Sequence, residues 1–335
     1  MSEALARDAC SGSAASASAG KSREDLYAEL RIVFRANGIE PAEIEARAIL
    51  LHGLGIDWQD LIVQGRERVG EAQCGYIRAL SERRLAGEPL AYVLGEKEFW
   101  GRSFAVDKST LIPRPDTEVI VEASLRGLDH LTSELAGDDI LTILDLGTGS
   151  GAILLSLLAE RSYAFGLGMD VDPDALLMAK HNSGRLGVAP RCRFVCGRWA
   201  DPLAWSTPDG ARDSEGADSD RFARILKKRR GFDLIVANPP YVCDAEWHTL
   251  APQVRDFEPK TALHGGQDGL DSYRQLRTVF RRLLRPGGAF VVEHGFQQQK
   301  SVSDILFDNR ELIFWEDLQD LARRDRGLVG RRSFS

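Results

Sequence analysis

Ile143-Leu144-Asp145-Leu146-Gly147-Thr148-Gly149-Ser150-Gly151, followed by Ala152-Ile153-Leu154-Leu155-Ser156-Leu157-Leu158-Ala159, reads as a buried strand, a glycine-rich turn and a helix N-terminus. Glycines let a backbone approach a ligand closely, and a helix N-terminus favours negative charge. The spacing is G-x-G-x-G, whereas a dinucleotide fingerprint is G-x-G-x-x-G. Alone, the turn points to nucleotide-like cofactors without selecting one. A strand that feeds a helix through such a turn predicts an open α/β sheet whose ligand lies outside the carboxyl ends of the strands.

Downstream, Phe165-Gly166-Leu167-Gly168-Met169-Asp170 predicts a second strand ending in an acid, placed to take two ribose hydroxyls of an adenosine. Asp172 is the neighbouring candidate, but it precedes Pro173 and Asp174 and reads better as the cap of a helix over 175–182. A third strand, Arg191–Gly197, leads into Arg198-Trp199, where Trp199 either flanks an adenine or covers the core. The apolar run Asp233–Ala237 then closes in Asn238-Pro239-Pro240-Tyr241. The prolines lack N–H groups and fix φ, so the strand stops and its carbonyls stay unpaired. That set suits a flat, neutral, nitrogen-bearing group: Asn238 and a proline carbonyl accept its N–H protons while Tyr241 covers its plane.

Together these features resemble the class I S-adenosylmethionine methyltransferases. They resemble more closely the PrmC or HemK family of glutamine methyltransferases, which modify peptide-chain release factors. The resemblance runs from about Glu24 to Arg332. It is carried by Tyr92–Gly101, Leu111-Ile-Pro-Arg-Pro-Asp-Thr-Glu118, the glycine turn, Asn238–Tyr241, Arg255-Asp-Phe-Glu-Pro259, Gly265-Gly-Gln-Asp-Gly269 and Val292-Glu-His-Gly295. Asn-Pro-Pro-Tyr also occurs in DNA adenine methyltransferases, so the block ending at Glu118 is the more family-specific element.

The resemblance implies an α/β class I methyltransferase, with a Rossmann-like sheet and a small N-terminal all-α domain joined by a β-hairpin linker. Its cofactor would be S-adenosyl-L-methionine, held by Gly147, Thr148, Gly149, Ser150, Gly151, Asp170, Trp199 and Asn238. Its partner would be a release factor, methylated at N5 of the glutamine in the Gly-Gly-Gln motif. Asn238, Pro239, Pro240, Tyr241 and Arg114 would take that substrate, with Asn238, Pro239 and Tyr241 catalytic. Hydrogen bonds to Asn238 Oδ1 and the Pro239 carbonyl would fix the amide and stabilise the positive charge that develops on its nitrogen. No metal is expected. An adenine methyltransferase, a glutamine methyltransferase of a ribosomal protein and a catalytically silent binding module are the alternatives.

Composition agrees. A chain of 335 residues that is 43% apolar can hold a large α/β domain and a smaller one. A formal net charge of −7 argues against general nucleic-acid affinity. The sequence has no long apolar span and no basic-then-apolar N-terminus. Its five scattered cysteines, Cys10, Cys74, Cys192, Cys196 and Cys243, read as reduced thiols. The expectation is a monomeric, cytoplasmic enzyme without membrane or direct nucleic-acid contact.

Residues 1–22, rich in Ala, Ser and Gly, read as a disordered tail. Helical stripes follow to residue 89: Leu26, Leu30, Val33 and Phe34; Ile44, Ala48 and Leu51; Tyr76, Leu80 and Leu85. Residues 90–110 form the hairpin, and 111–335 the methyltransferase domain, interrupted by a polar insertion over 206–230. Alternating strand and helix patterns predict a parallel sheet covered by helices on both faces. Later strands are expected over 289–293, 312–315 and 328–330.

Other polar residues carry open readings. Arg114, fixed between two prolines, either contacts substrate or braces the cofactor loop. Asp116 is either a helix cap or functional, His294 reads as structural, and Phe99 and Trp100 either line a channel or pack. The Gly265-Gly266-Gln267 triplet copies the methylated motif by coincidence. Arg198 stands where an acid often precedes the adenine-contacting aromatic residue, and Arg324 replaces a usual glycine.

Overall fold

The computed structural model describes residues 20–133, 140–198, 231–308 and 310–334. Residues 1–19 of the expected tail, Trp199 and the 206–230 insertion lie outside the described residues. The chain divides into two compact units, Met1–Leu90 and Ala91–Ser335.

Among the described residues the first unit holds α1 (Arg23–Ala36), α2 (Ala42–Leu54), α3 (Trp58–Val63) and α4 (Glu71–Leu85). A capping box starts α1: Ser22 Oγ accepts from Asp25 N–H at 3.1 Å, while the Asp25 carboxylate takes the Ser22 N–H. This helix buries Leu26, Leu30 and Phe34 as its periodicity predicts. The other two stripes are corrected. In α2 the buried face is Ala42, Ala46, Ile49 and Leu50, and Ile44 is half exposed; in α4 it is Ile77, Leu80, Ser81 and Arg84. Small alanines and an arginine paired with Glu45 at 2.7 Å can face a neighbouring helix closely, so the most apolar stripe is not the buried one.

The second unit opens with the short α5 (Leu90–Leu94) and a hairpin of β1 (Glu96–Phe99) and β2 (Arg102–Ala105). Trp100 and Gly101 form its two-residue turn with φ of 51° and 65°, a geometry that matches the twist of the paired strands. Phe99 and Phe104 meet edge to face at 6.1 Å and are buried in the core of this unit.

The sheet has seven strands: β3 (Leu141–Leu146), β4 (Ala164–Asp170), β5 (Cys192–Cys196), β6 (Phe232–Ala237), β7 (Leu284–Glu293), β8 (Leu312–Gln319) and β9 (Asp325–Arg332). Their order is β5-β4-β3-β6-β7-β9-β8. The five strands from β5 to β7 are parallel. The expected parallel sheet holds over these five strands, and at the other edge β9 runs antiparallel to both β7 and β8. Only a short turn joins β8 to β9, and parallel pairing would need a crossover of about a dozen residues.

Side chains alternate across the sheet with period two. Leu141, Ile143, Leu234, Val236, Ala289 and Val291 face one cluster with helices α6 (Glu118–Ser133) and α7 (Ala152–Glu160). Leu144, Leu146, Ile235, Ala237, Phe290 and Val292 face the other, with the helix Asp271–Leu283. β3 and β6 are buried along their whole length, which explains why their runs are apolar apart from Thr142, Asp145 and Asp233.

Candidate active site

Strand register builds the site. Leu146 pairs with Met169 on one side and Ala237 on the other, and Ala237 pairs with Val292. The next residues, Asp170, Gly147, Asn238 and Glu293, therefore form a row along the carboxyl edge of four adjacent strands. Strand order reverses between β3 and β6, so the row crosses the crevice where open α/β sheets bind ligands.

The glycine turn is pinned to β4. Gly147 and Thr148 N–H groups both donate to the Met169 carbonyl at 2.9 Å, and Gly149 N–H donates to Asp170 Oδ2 at 2.9 Å. Gly149 has φ 53°, and a β-carbon there would meet nothing within 4 Å, so the turn leaves open space above its backbone. Asp170 also accepts the Asp172 N–H at 3.1 Å, and burial raises its pKa from the ordinary carboxylate value. Asp172 caps α8 (Pro173–Arg185) by accepting the Asp174 N–H at 2.9 Å.

Asp145 was missed in the sequence. It is buried beneath the turn, where Thr148 Oγ1 donates to its Oδ2 at 2.7 Å and its Oδ1 has no partner. Burial pushes its pKa up to about 7. An acid in the middle of an apolar strand was the available signal.

Asn238 stands at the start of a hydrogen-bonded chain. Its Nδ2 donates to Thr117 Oγ1 at 3.3 Å, and Thr117 Oγ1 donates to Glu293 Oε2 at 2.7 Å. Tyr241 OH lies 3.5 Å from Glu293 Oε1, and Tyr273 OH donates to the Glu293 backbone carbonyl at 3.1 Å. Glu293 is 1% exposed, and burial pushes its pKa up to about 7. Ser272 Oγ donates to the Pro240 carbonyl at 3.0 Å. Among the described residues no donor reaches the Pro239 carbonyl.

A cavity of about 450 Å³ occupies the crevice, within the range of small-ligand sites. Gly147, Thr148, Gly149, Ser150, Asp170, Asn238, Pro240 and Arg114 line it, together with Phe99 and Arg198. Gly151, Pro239 and Tyr241 are not part of its wall. Gly151 has turned into the helix start, where a β-carbon would meet Leu155 at 2.7 Å. Pro239 is buried, and Tyr241 packs its ring on the core of the Asp271–Leu283 face with its hydroxyl toward Glu293. Trp199 lies outside the described residues.

Arg114 pairs with the buried carboxylate of Glu258, which also accepts the Ile112 N–H at 3.2 Å. Asp116 is not a helix cap; its carboxylate takes Arg326 at 2.9 Å. Arg324 pairs with Asp320 at 3.0 Å in the β8–β9 turn. His294 is buried, its Nδ1 lies 2.8 Å from the Gly295 carbonyl, and burial lowers its pKa, which keeps it neutral. Trp100 points its indole N–H at Glu160, 3.1 Å away, from the hairpin turn.

Comparison with known proteins adds three findings. The family profile described as PrmC N-terminal domain matches residues 20–95, and that described as methyltransferase domain matches residues 138–314. The chain is 37% identical to a release factor glutamine methyltransferase of Bradyrhizobium diazoefficiens, over 93% of this chain and 96% of that protein. It is 36% identical to another of Nitratidesulfovibrio vulgaris, over 92% and 95%. Among solved structures, the protein-(glutamine-N5) methyltransferase of Alicyclobacillus acidocaldarius is 23% identical with a TM-score of 0.34, covering 69% of this chain and 99% of that one. Among the described residues no helix is long and apolar enough to cross a membrane.

Proposed function

We propose, from the premise that the chain belongs to the release factor glutamine methyltransferase family of S-adenosylmethionine-dependent enzymes, that it methylates N5 of the glutamine in the Gly-Gly-Gln motif of peptide-chain release factors. The observation that carries this reading is the row Asp170–Gly147–Asn238 along one crevice. It brings the glycine turn, read as the cofactor cradle, beside Asn238, read as the side chain that recognises the amide. The small helical unit is read as helping to engage the protein substrate, and the enzyme as a cytoplasmic monomer that needs no direct nucleic-acid contact.

The residues fit the cofactor. The glycine turn leaves room for a ligand against its backbone, and Asp170 keeps lone pairs for two ribose hydroxyls after accepting two N–H groups. When bound, S-adenosylmethionine supplies an electrophilic methyl group on a positively charged sulfur. Asp170 is the acid that lines the crevice, and Asp145 lies beneath the turn behind the wall.

An amide nitrogen is a poor nucleophile because its lone pair is delocalised. Asn238 Oδ1 and the Pro239 carbonyl accept the two N–H protons of the glutamine side chain, which orients the nitrogen and stabilises the charge it gains. Ser272 already takes one lone pair of the Pro240 carbonyl, whereas that of Pro239 carries no donor among the described residues, so Pro239, behind the cavity wall in this structure, is read as the second acceptor. Tyr241 holds the loop from behind and keeps water from it. The excess proton leaves through Asn238 or the Pro239 carbonyl to water, so no strong base is required.

Mass spectrometry of release factor incubated with the enzyme and S-adenosylmethionine tests the reading. One added methyl on the Gly-Gly-Gln glutamine is expected. Asn238→Ala should lower kcat by about 10²- to 10³-fold. Turnover near that of the parent in this variant, or methylation of nucleic acid in place of release factor, overturns the assignment.

A further inference from the structure

We propose that Thr117 and Glu293 act as a positioning relay that decides which end of the Asn238 amide faces the acceptor glutamine. The inference rests on the glutamine-methylating reading above.

Glu293 ends β7 next to Asn238, because Ala237 pairs with Val292. A buried carboxylate that is ionised has no proton to give and can only accept. It takes the single hydroxyl proton of Thr117 along the 2.7 Å bond. The Thr117 oxygen then has only lone pairs to offer Asn238, so the amide must turn its NH₂ end toward Thr117, as the 3.3 Å contact from Nδ2 records. Asn238 Oδ1 is thereby kept for an incoming N–H donor. The count of protons along the Glu293–Thr117–Asn238 chain alone fixes this orientation of the amide.

Protonation of Glu293 reverses the chain. Its new O–H becomes a donor toward Thr117, the Thr117 hydroxyl proton is released to point at Asn238, and Oδ1 then turns to meet it. The NH₂ end faces the cavity and opposes the N–H groups of a glutamine amide. Every neighbour of Glu293 bears on that proton. Thr117 and Asp116 face it from the turn before α6, Tyr241 from the loop after β6, Tyr273 from the helix Asp271–Leu283 and Arg326 from β9. Burial and Asp116 favour the protonated form, whereas Arg326 and the hydroxyl donors Thr117 and Tyr241 favour the charged one. Burial pushes the Glu293 pKa up to about 7, so this proton is gained or lost near neutral pH.

The test is release-factor methylation, with kcat and KM measured from pH 5.5 to 9 for the parent, Thr117→Val, Thr117→Ser, Glu293→Gln and Asn238→Ala. Binding of S-adenosylhomocysteine by calorimetry and thermal melting report folding of each variant. The parent should show kcat rising with pH through about 7. Thr117→Val keeps the shape but loses the hydroxyl, and should lower kcat about 10- to 100-fold with cofactor affinity within about threefold. Thr117→Ser should restore kcat to within about threefold, and Glu293→Gln should flatten the acid limb. A parent profile flat between pH 6 and 8 overturns the relay, and so does a Thr117→Val enzyme with parental kcat and an unchanged acid limb. Failure of the underlying reading is distinguishable, because then the parent leaves release factor unmodified or Asn238→Ala remains active.

Discussion

Replacing Gly265 by alanine tests how firmly the Asn238–Tyr241 loop is held. Two stretches of backbone run together here: Gly265 N–H donates to the Val242 carbonyl and Val242 N–H to the Leu263 carbonyl, both at 2.9 Å. A β-carbon on residue 265 would lie 2.7 Å from the Pro240 carbonyl oxygen, 2.8 Å from Tyr241 Cα and 2.9 Å from the Gly269 carbonyl oxygen. All three are main-chain atoms and cannot rotate aside. Ordinary contact begins near 3.4 Å, so the stretches must part by roughly 0.7 Å at Pro240. Overpacking of this kind costs about 1–3 kcal/mol, and a displacement approaching 1 Å beside the chemistry costs up to about 10²-fold in rate. Urea unfolding should show that loss of stability, and kcat on release factor should fall about 10- to 100-fold. Affinity for S-adenosylhomocysteine should change by less than about threefold, since the Gly147–Ser150 turn and Asp170 are untouched. Gly75→Ala in α4 is the control: nothing lies within 4 Å of its new carbon, and it should gain about 0.5–1 kcal/mol. A Gly265→Ala enzyme with the parental unfolding curve and turnover would refute the claim that backbone contact fixes the loop.

Two further outcomes follow from the buried acids. Asp145 has a folded pKa of about 7 against 3.8 in the unfolded chain, so the folded state holds the proton longer. Its contribution is therefore fully present below about pH 4 and is lost as pH rises to about 7, by roughly 4 kcal/mol at most. Denaturation of Asp145→Asn across pH 4 to 8 should show the variant gaining on the parent over that window; parallel curves would contradict the assignment of burial as the cause. Asp170→Ala removes the acceptor for the Gly149 and Asp172 N–H groups and the expected ribose ligand. Calorimetry should find S-adenosylhomocysteine bound about 10- to 100-fold more weakly, and unchanged affinity would remove Asp170 from the cofactor site.

Much of this was legible along the chain because the signals are local. The mainly apolar run from Ile143 to Leu146 announces a buried strand, and the spaced glycines announce the turn after it. The Pro239-Pro240 pair announces where β6 must stop. Local signals failed where a partner supplies the energy. Ile44 and Tyr76 looked like core residues, yet the buried faces of their helices hold alanines and the paired Arg84 instead. The antiparallel β9 and the full length of β7, β8 and β9 were likewise invisible, because strand direction depends on which neighbour a segment meets.

The sequence by itself determined the α/β class, the glycine turn and the presence of an amide-bearing loop, since backbone sterics act over a few residues at a time. Tertiary structure decided which of these residues share a wall. Parallel register set Asp170, Gly147, Asn238 and Glu293 in one row, though 123 positions separate the first from the last. It also turned Tyr241 away from the cavity and brought Thr117 between Asn238 and Glu293. The physical reason is that hydrogen-bond direction and burial belong to pairs of distant groups, and no spacing along the chain encodes them.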